Sequence, residues 1–187
     1  SFYGGNHEYL KYKIGFGDFL LNYESQVLRL SDEFTWPEDE RLFIKPGADS
    51  KVFTGKVFSK VEWEDFKYDI LTYESNRNIS PETQIQVSEP KLILKEARTW
   101  IIGGKVVTSS YYRFNYALDY EENVAADGLT FAQQAASHFD VADAYVLDIA
   151  YTPDGWQVLE VNCINCAGFY KADVEAIIHA LEAFYGG

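Results

Sequence analysis

Three oxygen-bearing side chains in one short stretch, Asp148, Glu160 and Asn162, carry the strongest chemical signal in this chain. They lie in Tyr145-Val-Leu-Asp148 and Leu159-Glu160-Val-Asn162, apolar runs that read as two strands joined by the Pro153-Asp154-Gly155 turn. Glu160 and Asn162 alternate with Leu159 and Val161, so the two share a face. A carboxylate that ends a buried strand is costly unless a cation meets it. Oxygen ligands at this density suit Mg²⁺, which takes carboxylates together with phosphate oxygens. The plain alternative is a set of strand-end polar residues satisfied by solvent or backbone.

A second group is cationic. Lys45 closes the apolar strand Leu42-Phe-Ile and is followed by Pro46; Lys51 and Lys56 flank the next turn, around Gly55. Arg98 and Arg113 lie on the two arms of a hairpin centred on Gly103-Gly104. Fork-shaped guanidinium groups match phosphate and carboxylate oxygens. Each of these residues alone is commonly a surface charge. Glu96 shares a strand face with Arg98, and reads either as a cross-strand salt bridge or as an acceptor for sugar hydroxyls. Cys163-x-x-Cys166 lacks further ligands for zinc and reads as buried or half-buried thiols. His7, His138 and His179 are scattered, and no Ser-His-Asp, Cys-His or Walker-type phosphate loop is present.

The elements that must position these residues are mostly strands. The pattern predicts strands at 41–46, 52–58, 84–87, 92–102 and 105–112, and the 145–162 hairpin. Ser59 predicts the start of a helix with Glu62 at its third position. Further helices are expected over 130–137 and 173–184, while residues 1–40 read as loops with one short helix or strand. Tyr9, like Phe2 and Tyr3, reads as a packing aromatic. Consecutive strands joined by tight turns favour an α+β domain with a largely antiparallel sheet.

Composition narrows the function class. The chain has 187 residues, a net charge of −13 and a hydrophobic content of 47%, enough for a sizeable core. So acidic a surface argues against nucleic acid and anionic membranes as partners. No apolar run approaches a membrane span and no signal peptide is visible. Two cysteines exclude a disulfide framework and fit a reducing, cytoplasmic setting.

Taken in chain order, Phe-Ile-Lys45-Pro, Val87-Ser-Glu89-Pro, Glu96-Ala-Arg98, Gly-Gly-Lys-Val-Val with Arg113, Asp148 and Glu160-Val-Asn162 resemble the ATP-grasp fold of carboxylate–amine ligases. The likeness covers about Arg41 to Tyr170 and is nearest to a small bacterial and phage branch. It implies an ATP-grasp domain over 41–187, with 1–40 as the remnant of a preceding region. It implies ATP and Mg²⁺, or Mn²⁺ in its place, as cofactors. Lys45 would reach the α-phosphate and adenine edge, Lys51 and Lys56 would serve the phosphate-covering loop, and the 86–89 segment, with Val87 and Glu89, would meet adenine. Glu96 would bind ribose, Arg98 and Arg113 would hold phosphates and the acyl-phosphate, and Asp148, Glu160 and Asn162 would ligate magnesium. The implied activity joins a small-molecule or peptide carboxylate to an amine. A nucleotide-binding module or regulatory subunit without ligase chemistry is the alternative, and an acidic β-rich interaction domain a third.

Overall fold

The computed structural model describes residues 9–37, 40–47, 52–73 and 79–186. The fold is α+β, with two all-antiparallel sheets in two compact units. One unit is built on Glu24–Pro90, the other on Lys11–Tyr23 and Lys91–Gly187. Among the described residues no helix is long and apolar enough to cross a membrane.

In the first unit, strands β1 (Gln26–Arg29), β2 (Leu42–Pro46), β3 (Lys56–Phe58) and β4 (Gln84–Ser88) form a sheet in the order β1-β4-β2-β3. The register pairs Leu42 with Phe58 and sets Ile44 opposite both Lys56 and Val87. Directly opposed residues share a face. Leu42, Ile44, Phe58, Ile85 and Val87 therefore line one side, where they pack with Leu30 and Trp63. Trp63 comes from helix α2 (Lys60–Thr72), and its near-complete burial contributes roughly 2–3 kcal/mol. The helix starts where the sequence places it. Ser59 Oγ accepts from the Glu62 amide at 3.3 Å, and Glu62 Oε2 accepts from the Ser59 amide at 2.7 Å. The strand expected over 52–58 is shorter, because pairing with β2 begins only at Lys56.

In the second unit, β5 (Lys95–Ile102), β6 (Lys105–Phe114), β7 (Ala117–Glu121), β8 (Ala144–Thr152) and β9 (Gly155–Asn162) form a sheet in the order β7-β6-β5-β8-β9. Gly103 and Gly104 have φ of +57° and +72°, the twin left-handed positions of a two-residue hairpin. Helix α3 (Ala126–His138) lies on one sheet face, where Gly128 meets the Trp156 indole. Helix α4 (Val174–Tyr185) lies on the other, its Ile177 packed with Trp100, Ile102, Ala144 and Val146. Asp173 caps α4 by accepting from the Ala176 amide at 2.9 Å.

Strand β7 is not foreshadowed in the sequence: all five of its residues are exposed, so no apolar alternation marks it. Helix α3 begins a turn earlier than expected, behind Ala125, which offers no side-chain cap to read. The stretch 9–29, read as mostly loop, contains α1 (Tyr9–Phe16) and β1. Tyr9 is buried, as expected of a packing aromatic, while Phe2 and Tyr3 lie outside the described residues. Cys163 is half-buried as expected, but Cys166 is exposed, because it lies in the turn that follows β9.

Candidate active site

The face of the second sheet that carries α4 is apolar at one end and ionic at the other. Along β5, Ile102 and Trp100 lie under α4, and Arg98 and Glu96 continue the same face beyond it. The register sets Arg98 opposite Ser110 on β6 and Asp148 on β8, and Asp148 opposite Glu160 on β9.

Alternation alone would not have delivered Glu160 there. Ile149 faces Val158 and Asp148 faces Glu160, so Leu159 is an extra residue, a β-bulge. Without it Glu160 would follow Val158 onto the α3 side. A second bulge, at Tyr112, brings Arg113 opposite Glu96. Both irregularities place charged side chains on one face.

Arg98 Nε donates to Asp148 Oδ1 and Nη2 to Oδ2, each at 2.8 Å, a bidentate pair. Asp148 has no solvent exposure and Arg98 very little. Asn162 Nδ2 donates to Asp148 Oδ2 at 3.1 Å and to Glu160 Oε1 at 2.9 Å. Arg113 Nη1 donates to Glu96 Oε1 at 3.3 Å, the cross-strand pair read from the sequence. The Arg113 Nε is buried without a hydrogen-bond partner.

Burial pushes the Asp148 carboxyl up to about 7, against the lowering pull of Arg98, and the Glu160 carboxylate adds to the rise. Burial also lowers Arg98, but its hydrogen bonds and charge contact with Asp148 outweigh this and hold it firmly protonated. Tyr112 is raised by burial and by the surrounding carboxylates of Asp148, Glu96 and Glu160.

Two carboxylates and an amide within hydrogen-bonding reach form a hard oxygen donor set, and this fits Mg²⁺. Glu160 is the exposed member and the natural point of entry. Among the described residues no three His, Cys, Asp or Glu side chains are grouped as a metal site, so Asn162 and ligands from outside the protein must complete the shell. Both oxygens of Asp148 are held by Arg98, so a cation there must share or displace that guanidinium.

Arg98 has further neighbours that sequence reading missed. Its Nη1 donates to the Gly168 carbonyl at 3.3 Å, and its guanidinium carbon lies 5.4 Å from the Tyr112 ring centre and 5.1 Å from that of Tyr170. Tyr170 lies beyond the end of β9, and no spacing in the sequence ties it to β5.

In the first unit, Lys45, Gln86 and Ser88 share the sheet face opposite the core. Gln86 is buried and its Nε2 donates to Ser25 Oγ at 2.9 Å. The Ser88 hydroxyl is buried without a partner. Lys56 lies on the other face, its ammonium 4.6 Å from the Phe58 ring centre and 5.4 Å from that of Phe66. The Val87 side chain points into the core, and the residue is paired on both sides, by Gln26 and Ile44. Glu89 lies just past the strand end and is exposed. Lys51 lies outside the described residues.

Known proteins point the same way. A family model for an ATP-grasp domain, the third family of its clade, matches residues 22–181. No curated protein sequence matches the chain. Among solved structures, a D-alanine–D-alanine ligase from Bacillus anthracis superposes with a TM-score of 0.65 at 14% identity, over 96% of this chain and 65% of that one. The D-cycloserine synthetase DcsG gives 0.64 at 12% identity, over 97% and 69%. The ATP-grasp ligase PsnB, complexed with a minimal precursor, gives 0.53 at 18% identity, over 85% and 53%. The chain thus spans about half to two thirds of the length of these ligases.

Proposed function

The chain belongs to the ATP-grasp domain family, and from that premise we propose an ATP- and Mg²⁺-dependent ligase that joins a carboxylate to an amine. The observation that carries this reading is the ionic row Arg98–Asp148–Glu160, with Asn162 bridging the two carboxylates, on a single sheet face. Its residue types and chain order are those the ATP-grasp resemblance assigns to phosphate and metal. The solved ligases, with printed substrates that include D-alanine and a precursor peptide, support small-molecule or peptide substrates.

In the proposed reaction a substrate carboxylate oxygen attacks the γ-phosphorus of ATP. The bond to the bridging oxygen breaks and ADP leaves, giving an acyl-phosphate. An amine nitrogen then attacks the acyl carbon, phosphate departs, and the nitrogen loses its proton. Bound Mg²⁺ supplies charge neutralisation at the phosphate oxygens. Asp148, Glu160 and Asn162 would hold it. Arg98 and Arg113 orient and neutralise the transferring group, Arg113 through its unpartnered Nε. Glu96 positions Arg113 and accepts from ribose hydroxyls. Lys45 and the Ser88 hydroxyl address the rest of the nucleotide, with Lys51 and Lys56 serving the phosphate side. Such chemistry needs positioning more than a protein nucleophile. The proposed setting is the cytoplasm, where ATP and Mg²⁺ are at hand, with no role for nucleic acid or membrane.

The test is ADP release from ATP and Mg²⁺ against a panel of amino acids and peptides. Release that depends on both an acid and an amine is expected. Release of AMP, or nucleotide binding without turnover under any pairing, would overturn the ligase reading in favour of adenylation or of a regulatory module.

Gly55 offers a separate handle on Lys45. A Cβ at Gly55 would lie 2.6 Å from the Lys45 Cβ and 3.0 Å from the Phe43 ring. Gly55→Ala is therefore expected to push the Lys45 stem aside and weaken ATP binding by roughly tenfold, about the worth of one charge-assisted contact. Calorimetric titration with ATP measures this, and unchanged affinity would remove Lys45 from the nucleotide site.

A further inference from the structure

The segment after Asn162 returns across the sheet face and is fastened residue by residue. Phe169 stacks on Trp100, with ring centres 6.1 Å apart and planes 15° apart. The Lys171 amide donates to Ser110 Oγ at 3.2 Å. Between these two anchors Tyr170 adopts φ of +52°, a left-handed conformation that costs a bulky residue energy and persists only where neighbours over-determine it. Its ring stacks on Tyr112 at 5.3 Å and on Tyr120 at 5.0 Å, with planes within 22° of parallel. The ring also lies 5.1 Å from the Arg98 guanidinium carbon.

We propose that Tyr170 is a positioning residue for Arg98: the strained turn holds its ring against the guanidinium, so that Arg98 keeps one orientation whether or not Asp148 is its partner. This rests on the reading of Arg98 as the arginine that meets the transferring phosphoryl group. Two oxygens of Asp148 and the Gly168 carbonyl fix the guanidinium in the state described. A cation that claims Asp148 removes the stronger of those holds. The aromatic faces of Tyr112 and Tyr170 make no demand on Asp148. They attract a guanidinium through their ring quadrupoles and restrict its swing. An arginine oriented in this way loses less freedom when it meets the phosphoryl group, a gain felt in the rate more than in nucleotide binding.

The variants are Tyr170→Asn, whose residue is at ease in the left-handed region but has no ring, and Tyr170→Phe, which keeps the ring. The first readout is solvent exchange of the Arg98 Nε proton by ¹⁵N NMR, its signal assigned by its loss in Arg98→Lys. Exchange at least tenfold faster is expected in Tyr170→Asn, with Tyr170→Phe recovering the slow signal, on the order of magnitude of a partly desolvated cation–π contact. The second readout is ADP release. In Tyr170→Asn kcat is expected to fall about tenfold with KM for ATP unchanged, and Tyr170→Phe should restore most of it. Unchanged exchange in Tyr170→Asn, or an equal defect in Tyr170→Phe, would overturn the proposal. If the wild-type chain releases no ADP with any substrate, the ligase reading fails and the exchange measurement alone decides the positioning role. Should Tyr170→Asn not fold, Tyr170→Gly replaces it and the same outcomes apply.

Discussion

Arg98→Leu should destabilise the protein by about 3–5 kcal/mol, the cost of leaving a buried carboxylate without its partner. Asp148 has no contact with solvent, and its bidentate partner is itself nine-tenths covered. The neighbours that then remain to it are the Asn162 amide and the like-charged Glu160. A fall in melting temperature on the order of 10 °C would follow. The double variant Arg98→Met/Asp148→Leu should recover most of the loss, because a well-packed apolar pair avoids the desolvation of both charges. Differential scanning calorimetry of the single and double variants tests this. An Arg98→Leu protein that melts with the wild type would mean that the ion pair is not buried as described.

The same pair sets a pH signature. Asp148 in the folded chain is raised to about 7 from an ordinary value of 3.8. A raised carboxyl stabilises the fold most below its unfolded value, and that contribution is lost as pH climbs through the folded value. Asp148→Asn should therefore flatten the stability profile between about pH 4 and pH 7 relative to the wild type, as urea unfolding at a series of pH values would record.

Glu160→Gln is expected to lower ADP release by roughly a hundredfold or more while leaving the fold intact. The exposed Glu160 side chain contributes little to packing, so the melting temperature should stay within a few degrees of the wild type. Its carboxylate is the member of the acidic group that solvent and a hydrated cation reach first. The amide keeps the shape and removes the charge that offsets Mg²⁺. Calorimetry should show weaker Mg²⁺-dependent ATP binding in the variant, with metal-free binding little changed. Turnover preserved in Glu160→Gln would remove the β8–β9 hairpin from the chemistry.

Much of this site can be read from the chain because its signals are local. Asp148, Glu160 and Asn162 interrupt apolar strands, and the Gly103-Gly104 hairpin predicts that the arms bearing Arg98 and Arg113 come together. The capping box at Ser59 is legible for the same reason, since its two hydrogen bonds span three residues. What stays hidden is relational. The sequence offers Arg98 to phosphate, and nothing in its neighbours announces that Asp148, 50 positions later, holds two of its donors. Tyr170 is invisible because its partners Tyr112 and Tyr120 come from other elements. Lys45 and Lys56 look alike in sequence, yet the pairing of Ile44 with Lys56 turns them to opposite faces. Strand β7 has no apolar stripe to betray it, because it buries nothing.

The extra residue at Leu159 makes the hairpin sensitive to length in a way that composition conceals. From Gly155 to Glu160 the strand must count one residue more than its partner does from Thr152 back to Asp148. A single deletion between Trp156 and Leu159 would keep every charged group in the chain and the turn that joins the strands. It would nevertheless rotate Glu160 and Asn162 half a turn about the strand axis, away from Asp148. Relatives of this chain can therefore exchange apolar residues along β9 freely, but not alter their number by one.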